Sequence, residues 1–319
     1  MSKEKRKQIT SSKLFTLCVL LVVIVVVFAI TTKGSFLRLK NIRNILQSVT
    51  VVSFLAIGAG MLMIGGQVDL SLGGIGTLGP MLLAFLLGVG VPWYIALVCA
   101  LLACGLCGAI NAFMVTNMKF PTFIATLGMA SVSQGVAYII SKGKNIDIKN
   151  AVFAFIGTGK LAKYIPYSIF VAIIALVIYG VVLKRTKYGR TIYLIGGNAE
   201  AARLTGLKPA KITYSLFINA GMLAGVAGIM LASRLKTATC DGISAQQFSG
   251  LTAAVLGGIS FGGGSGGMFG AFIGILILNV FDNGMQLLDV PTYWQTVASG
   301  LLLIAALIFD RYVSTRRKA

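Results

Sequence analysis

The chain has 319 residues, 57% of them apolar and only 11% charged, with a mean hydropathy of +0.90. A soluble domain carries about 25% charged residues, so too few polar groups are present to clothe a water-facing surface, and the solvent that fits is lipid. The net charge of +20 gathers in tails and loops between apolar runs, the positive-inside pattern rather than a nucleic-acid surface, while the absence of His removes Ser-His-Asp and Cys-His catalysis and the commonest metal ligand.

A membrane-spanning helix needs roughly 20 apolar residues, so about ten spans fill the chain and leave only short loops, with no appended soluble domain. Residues 1–13 (MSKEKRKQITSSK) form a basic tail before an apolar run from Leu14 to Ile30. That run is long for a signal peptide and no A-x-A cleavage site follows, so an uncleaved first span with a cytoplasmic N-terminus is expected. Residues 36–47 alternate basic and apolar positions and read as an interfacial helix leading into a span at 48–65. A Gly-rich break, GGQVDLSLGG, separates that span from an apolar run at 75–89. Pro92 opens a span to 115 and Pro121 another to 140. A basic loop, 141–163, precedes a span from Tyr164 to Leu183. The polar segment 184–212 carries seven Lys or Arg, and further spans are read at 213–233, 249–261, 267–288 and 291–309, before a basic tail at 310–319.

Ten crossings put both tails on one side, and 17 of the 28 basic residues then share it: five in the N-terminal tail, Lys119, seven in 184–212 and four in the C-terminal tail. Residues 54–88 and 248–280 echo each other, each running apolar, Gly-rich, then apolar. Five spans per half would make such a repeat inverted in the membrane, and matching broken helices point to a transport path. The fold expected is therefore an all-α integral membrane domain spanning 1–319, with two Gly-rich breaks.

Several motifs have a bland and a functional reading. Cys104 and Cys107 form a C-x-x-C inside an apolar helix without further ligands, which reads as small-residue packing, and Cys240 stands alone. Gly262, Gly264 and Gly267 match G-x-G-x-x-G, but a dinucleotide site needs a strand and a soluble βαβ unit. No P-loop occurs, and no cofactor or metal is expected. Gly221 and Gly225, and Gly266, Gly270 and Gly274, lie four apart and read as helix-packing faces. Asp69, beside Gly65, Gly66 and Ser71, either caps a helix starting near Leu70 or touches a substrate, since a carboxylate deep in a span must face protein or water. Asp282, Asn283 and Gln286, with Asp289 beyond them, form either a solvated helix end or polar contacts at a pore mouth. Within 184–212, Asn198 is a good N-cap for a short helix through Glu200, Ala201, Ala202, Arg203 and Leu204, and Gly206 is a suitable stop. Such a helix would dock a partner protein or lie on lipid.

Four segments carry a resemblance running from about residue 36 to 310: GGQVDLSLGG (65–74), FPTFIATLGM (120–129), TKYGRTIYLIGGNAEAARLTGLKPAKI (186–212) and AAVLGGISFGGGSGGMFGAFIGILIL (253–278). In their order and spacing the chain resembles the permease subunits of ribose-type and other monosaccharide ABC importers, a family that also includes autoinducer uptake systems. Gln67 departs from the apolar or small residue usual there, which bears on substrate identity. The resemblance implies a multi-pass protein of the cell (inner) membrane. It also implies a second permease subunit, identical or related, a separate ABC ATP-binding subunit on the cytoplasmic face, and an extracytoplasmic sugar-binding protein. Residues 198–206 would be a coupling helix seated in the ATPase, and ATP hydrolysis would belong to that other chain, so the permease is not itself an enzyme. The alternatives are a permease for another small solute (autoinducer, nucleoside or branched-chain amino acid) and, from a different class, an ion-coupled secondary transporter using Asp69.

Overall fold

The computed structural model describes residues 3–161 and 165–318, with side chains from residue 14 to 308 apart from 245 and 247. Its helices in chain order are α1 (Lys3–Thr31), α2 (Leu39–Ile64), α3 (Leu72–Gly88), α4 (Trp93–Thr116), α5 (Thr122–Ser141), α6 (Ala151–Thr158), α7 (Tyr167–Arg185), α8 (Lys187–Gly197), α9 (Ala199–Leu204), α10 (Pro209–Leu235), α11 (Gln247–Leu256), α12 (Met268–Leu287) and α13 (Thr292–Lys318). The only strands among the described residues are two-residue pieces: β1 (Ile146–Asp147) pairs antiparallel with β4 (Thr237–Ala238), and β2 (Lys160–Leu161) with β3 (Ile165–Pro166).

The chain is thus an all-helical, multi-pass membrane protein, with seven helices long and apolar enough to cross a bilayer: the 14–31 part of α1, and α2, α4, α5, α7, α10 and α12. This is fewer than the ten read from the sequence. α3 and the apolar stretch of α13 (Thr292–Ile308) fall short in length. The stretch read as a span at 249–261 is helical only to Leu256, because Gly257 and Gly258 (φ +85°) stop α11 after ten residues. Ten residues rise about 15 Å, half the hydrocarbon thickness.

Two further readings change. The interfacial helix at 36–47 is not a separate element: after a 3₁₀ turn at Ser35–Leu37 the backbone enters α2 at Leu39 and continues unbroken to Ile64, since neither Gly nor Pro interrupts the sequence before Gly58. The loop at 141–163 holds α6, whose first turn is capped by Asn150 Oδ1 accepting from Val152 N at 3.0 Å. Ala162, Lys163 and Tyr164 of that region lie outside the described residues, as do Met1, Ser2 and Ala319 of the two tails.

α2 is the axis of the molecule. Every residue from Val49 to Gly65 is buried, enclosed by α10, α7, α11 and α12. In lipid no water is squeezed out when apolar helices meet, so close backbone approach supplies much of the contact energy. Gly221 and Gly225 of α10 lie where a methyl group would strike Cys104 of α4, and Gly108 of α4 faces the Phe217 backbone in return. Further along the same face of α10, Gly228 meets the Gly76 carbonyl of α3. Gly270 and Gly274 of α12 press on Gly257 and Ala253 of α11. Gly266 does not share their face: it precedes the helix at φ +120°, against Ile259, because α12 starts only at Met268. α1 is the outermost helix, and its Phe28 ring packs beside Phe36 and Phe281 and fills the notch left by Gly284 of α12.

Candidate functional site

The first break follows from the end of α2. Gly66 takes φ +77° and turns the chain out of the helix, and α3 starts six residues later. Asp69 is buried, and its Oδ1 accepts from Ser71 N at 2.7 Å and from the Ser71 hydroxyl. That Ser71 oxygen in turn accepts from Asn111 Nδ2 of α4 at 2.8 Å. The helix begins at Leu72 rather than near Leu70, so Asp69 does not cap its first turn. It closes an Asx-type turn that fixes Ser71, the residue at the N-cap. Asp69 Oδ2 and Asn111 Oδ1 are enclosed without a hydrogen-bond partner among the described residues. Gln67 Oε1 accepts from Thr122 Oγ1 at 2.6 Å, which ties the break to the start of α5.

The second break, residues 257–267, is longer and holds Gly263 (φ +81°) and Gly264 (φ +67°). Before α11, the non-helical segment 239–243 is fastened by side chains rather than by a ladder. Gln134 of α5 donates Nε2 to Cys240 O at 2.6 Å and accepts from Ser244 Oγ at 2.7 Å, while Tyr138 OH donates to Asp241 Oδ1 at 2.7 Å. Thr77 of α3 lies 3.3 Å from Ser244 Oγ.

The polar segment 184–212 forms two short helices. α8 buries Gly189, Ile192 and Ile195 and anchors through its tyrosines: Tyr188 OH lies 2.7 Å from Ser215 Oγ of α10, and Tyr193 OH donates to Gly266 O at 2.8 Å. Burial pushes both phenols above the usual tyrosine range, so they remain neutral donors at physiological pH. α9 is capped at both ends. Asn198 Oδ1 accepts from Glu200 N at 3.0 Å and Ala201 N at 2.9 Å. At the other end Gly206 N donates to Arg203 O and Leu207 N to Ala202 O, a Schellman motif made possible by φ +82° at Gly206. Only Ala202 of α9 is buried; Glu200, Ala201, Arg203 and Leu204 face outward, and Leu204 is 82% exposed.

Three glycine segments meet at one point. Gly264 N donates to Ile64 O, the last carbonyl of α2, at 2.8 Å. A methyl group on Gly196 would strike that same Ile64 O and come within 2.8 Å of Gly264 N; one on Gly263 would lie 3.0 Å from the Gly66 Cα. Both breaks and the end of α8 are therefore in backbone contact, and α9 begins three residues after Gly196.

The remaining candidates lie elsewhere. Asn283 and Asn41 exchange amide hydrogen bonds at 2.7 and 3.0 Å and join α12 to the first turn of α2. Asp282 accepts from Ser299 of α13 at 3.3 Å, and Gln286 is exposed. Asn41 and Gly65 stand at opposite ends of α2, about 36 Å apart for 24 residues of helix. The two polar groups read as path residues therefore do not form one site. Asn111, Thr122, Gln134 and Ser244 carried only a weak sequence signal, single polar residues within or beside apolar runs. Gly196 and Gly197 sat unmarked within 184–212.

The sequence profile of the family described as branched-chain amino acid transport system / permease component matches residues 41–307. The L-arabinose ABC transporter permease protein AraH of Azospirillum brasilense is 32% identical over 288 residues, 90% of this chain and 85% of the relative. The ribose import permease protein RbsC of Bacillus subtilis (strain 168) is 33% identical over 290 residues, 90% of each chain. Escherichia coli (strain K12) RbsC is 31% identical over 299 residues, 92% of each. No solved structure matches the chain. The profile spans both glycine breaks, α8 and α9, and with these identities it establishes that the chain belongs to the branched-chain amino acid transport system / permease component family.

Proposed function

We propose that this chain is the membrane-spanning permease subunit of an ATP-driven importer, and that its solute is a monosaccharide of the ribose or arabinose kind. The observation that carries the solute class is full-length similarity, at 32–33% identity, to relatives named for L-arabinose and ribose import. The family description names branched-chain amino acids, and that solute is the competing reading. The engine is a separate ATP-binding subunit, and an extracytoplasmic sugar-binding protein delivers the solute. Two permease subunits, identical or related, enclose the path. In this reading α9 is the coupling helix, with Glu200, Arg203 and Leu204 facing the ATPase and Ala202 seating the helix. Its motion reaches Gly65, Gly66, Asp69 and Ser71 through the glycine contacts. Ten passes result when α3, α11 with the segment before it, and α13 are counted with the seven long helices. Both tails then lie in the cytoplasm with 184–212, and the basic residues favour this side for them.

The test is reconstitution in proteoliposomes with the cognate ATPase and binding protein. Radiolabelled ribose or arabinose should enter only with ATP and binding protein both present. Uptake of leucine but neither sugar would assign the amino-acid class. Uptake by this chain alone, driven by an ion gradient, would refute an ABC permease.

A further inference from the structure

At the end of α2 remote from the glycine junction, two arginines stand together with no role in the transport reading. Arg43 lies in the second turn of α2 and Arg234 in the last turn of α10. Both are half-buried, and the two guanidinium charges act on each other. Arg43 Nε is enclosed without an acceptor, and Arg234 Nη1 reaches the neutral Ser48 hydroxyl at 3.3 Å. Among the described residues neither forms an ion pair with a carboxylate.

This arrangement is unfavourable on three counts: the two like charges repel, both are partly desolvated, and an enclosed donor is unpaired. An oxyanion removes all three. Guanidinium groups bind phosphate through paired N–H donors, and one phosphate accepts from two arginines at once. The surroundings identify its source. Leu39, four residues before Arg43 and so on the same face of α2, is 57% exposed, and Leu235, next to Arg234, is 51% exposed. Apolar side chains flanking a cationic pair near the ends of two spanning helices match the boundary where phospholipid phosphates lie above their acyl chains.

We propose that Arg43 and Arg234 form a headgroup site that retains the phosphate of a membrane phospholipid. The site is independent of the solute and of the coupling reading.

The full chain, extracted in mild detergent with its accompanying subunits, is examined by native mass spectrometry. Wild type and the exposed-lysine control Lys160→Gln should keep one phospholipid per chain through detergent exchange. Arg43→Gln and Arg234→Gln should each reduce that occupancy about tenfold. Should the variants fold poorly, delipidated wild type supplies a second measurement. Its melting temperature should rise on adding phosphatidylglycerol and not on adding inorganic phosphate. An equal rise with inorganic phosphate alone would mark a soluble-anion site and overturn the lipid assignment. Lipid retention unchanged in both arginine variants, or no rise with either additive, would overturn the site. Unchanged retention together with lost binding-protein association would assign the arginines to an acidic protein surface instead.

Discussion

Asp69 shows how much one side chain determines at the first break. Its Oδ1 takes both donors of Ser71, and Ser71 also accepts from Asn111, so a single hydroxyl links α3 to α4. Asp69→Ala leaves the Ser71 N–H and hydroxyl without that acceptor in a buried setting, at a cost of about 1–3 kcal/mol. Thermal melting in detergent should fall, and a cycle with Asn111→Ala should be non-additive because the two share one network. Strict additivity would show that the contacts act separately. Leu204 poses the opposite problem, a large apolar side chain 82% exposed on a helix outside the bilayer spans. If it inserts into an ATPase groove, Leu204→Asp should weaken co-purification of that subunit at least about tenfold, as removal of an interface anchor does. Unchanged co-purification would move the contact elsewhere on α9. The turn chemistry here was legible: Asn198 and Gly206 announce the ends of α9 because capping is local. The Ser71–Asn111 bond was not, because the partners lie 40 positions apart and each is an ordinary polar residue in sequence.

At the scale of elements, the glycine junction decides how α8 can move. Gly196 and Gly197 are adjacent in sequence, yet only Gly196 is closely pressed. Adding a methyl group there would strike Ile64 O, whereas Gly197 has nothing within 4 Å. Gly196→Ala should therefore destabilise the protein by about 1–3 kcal/mol through overpacking and impair transport, while Gly197→Ala should do neither. Melting temperature and uptake of the two variants measure this, and equal behaviour would dissolve the junction as a mechanical link. Asn198→Ala removes the N-cap of a six-residue helix at a cost of about 1 kcal/mol. Faster amide hydrogen exchange confined to 199–204 is the expected result. Long apolar runs such as α4 and α7 could be read directly, since a lipid-crossing helix needs only length and hydropathy. α11 could not, because apolar and small residues continue past Gly257 and hide where the backbone turns.

For the whole molecule, the arrangement of passes remains the broadest prediction. With ten passes, Lys208 and Lys149 lie on opposite sides of the membrane. Single-cysteine reporters at these two positions, in a chain whose five native cysteines are replaced, should label from opposite faces of sealed vesicles. Labelling from one face would require an odd number of crossings fewer between them. With ten passes the basic residues Lys142, Lys144, Lys149 and Lys236 sit outside in company with β1 and β4, against the general bias but held there by the β1–β4 pairing.

Composition and hydropathy by themselves determined the solvent and the helical class, because burying this many apolar residues leaves no other option. Gly, Asn and Pro positions also located the breaks and the short helix at 198–206, since these residues act on their own backbone. Tertiary structure alone decided what those features meet. It separated Asp282, Asn283 and Gln286 from Asp69 by the length of α2, brought Gly66, Gly196 and Gly264 together, and placed Arg43 beside Arg234. Contacts of this kind depend on how helices distant in sequence pack, and in lipid that packing is set by shape and small residues rather than by a hydrophobic pattern readable along the chain.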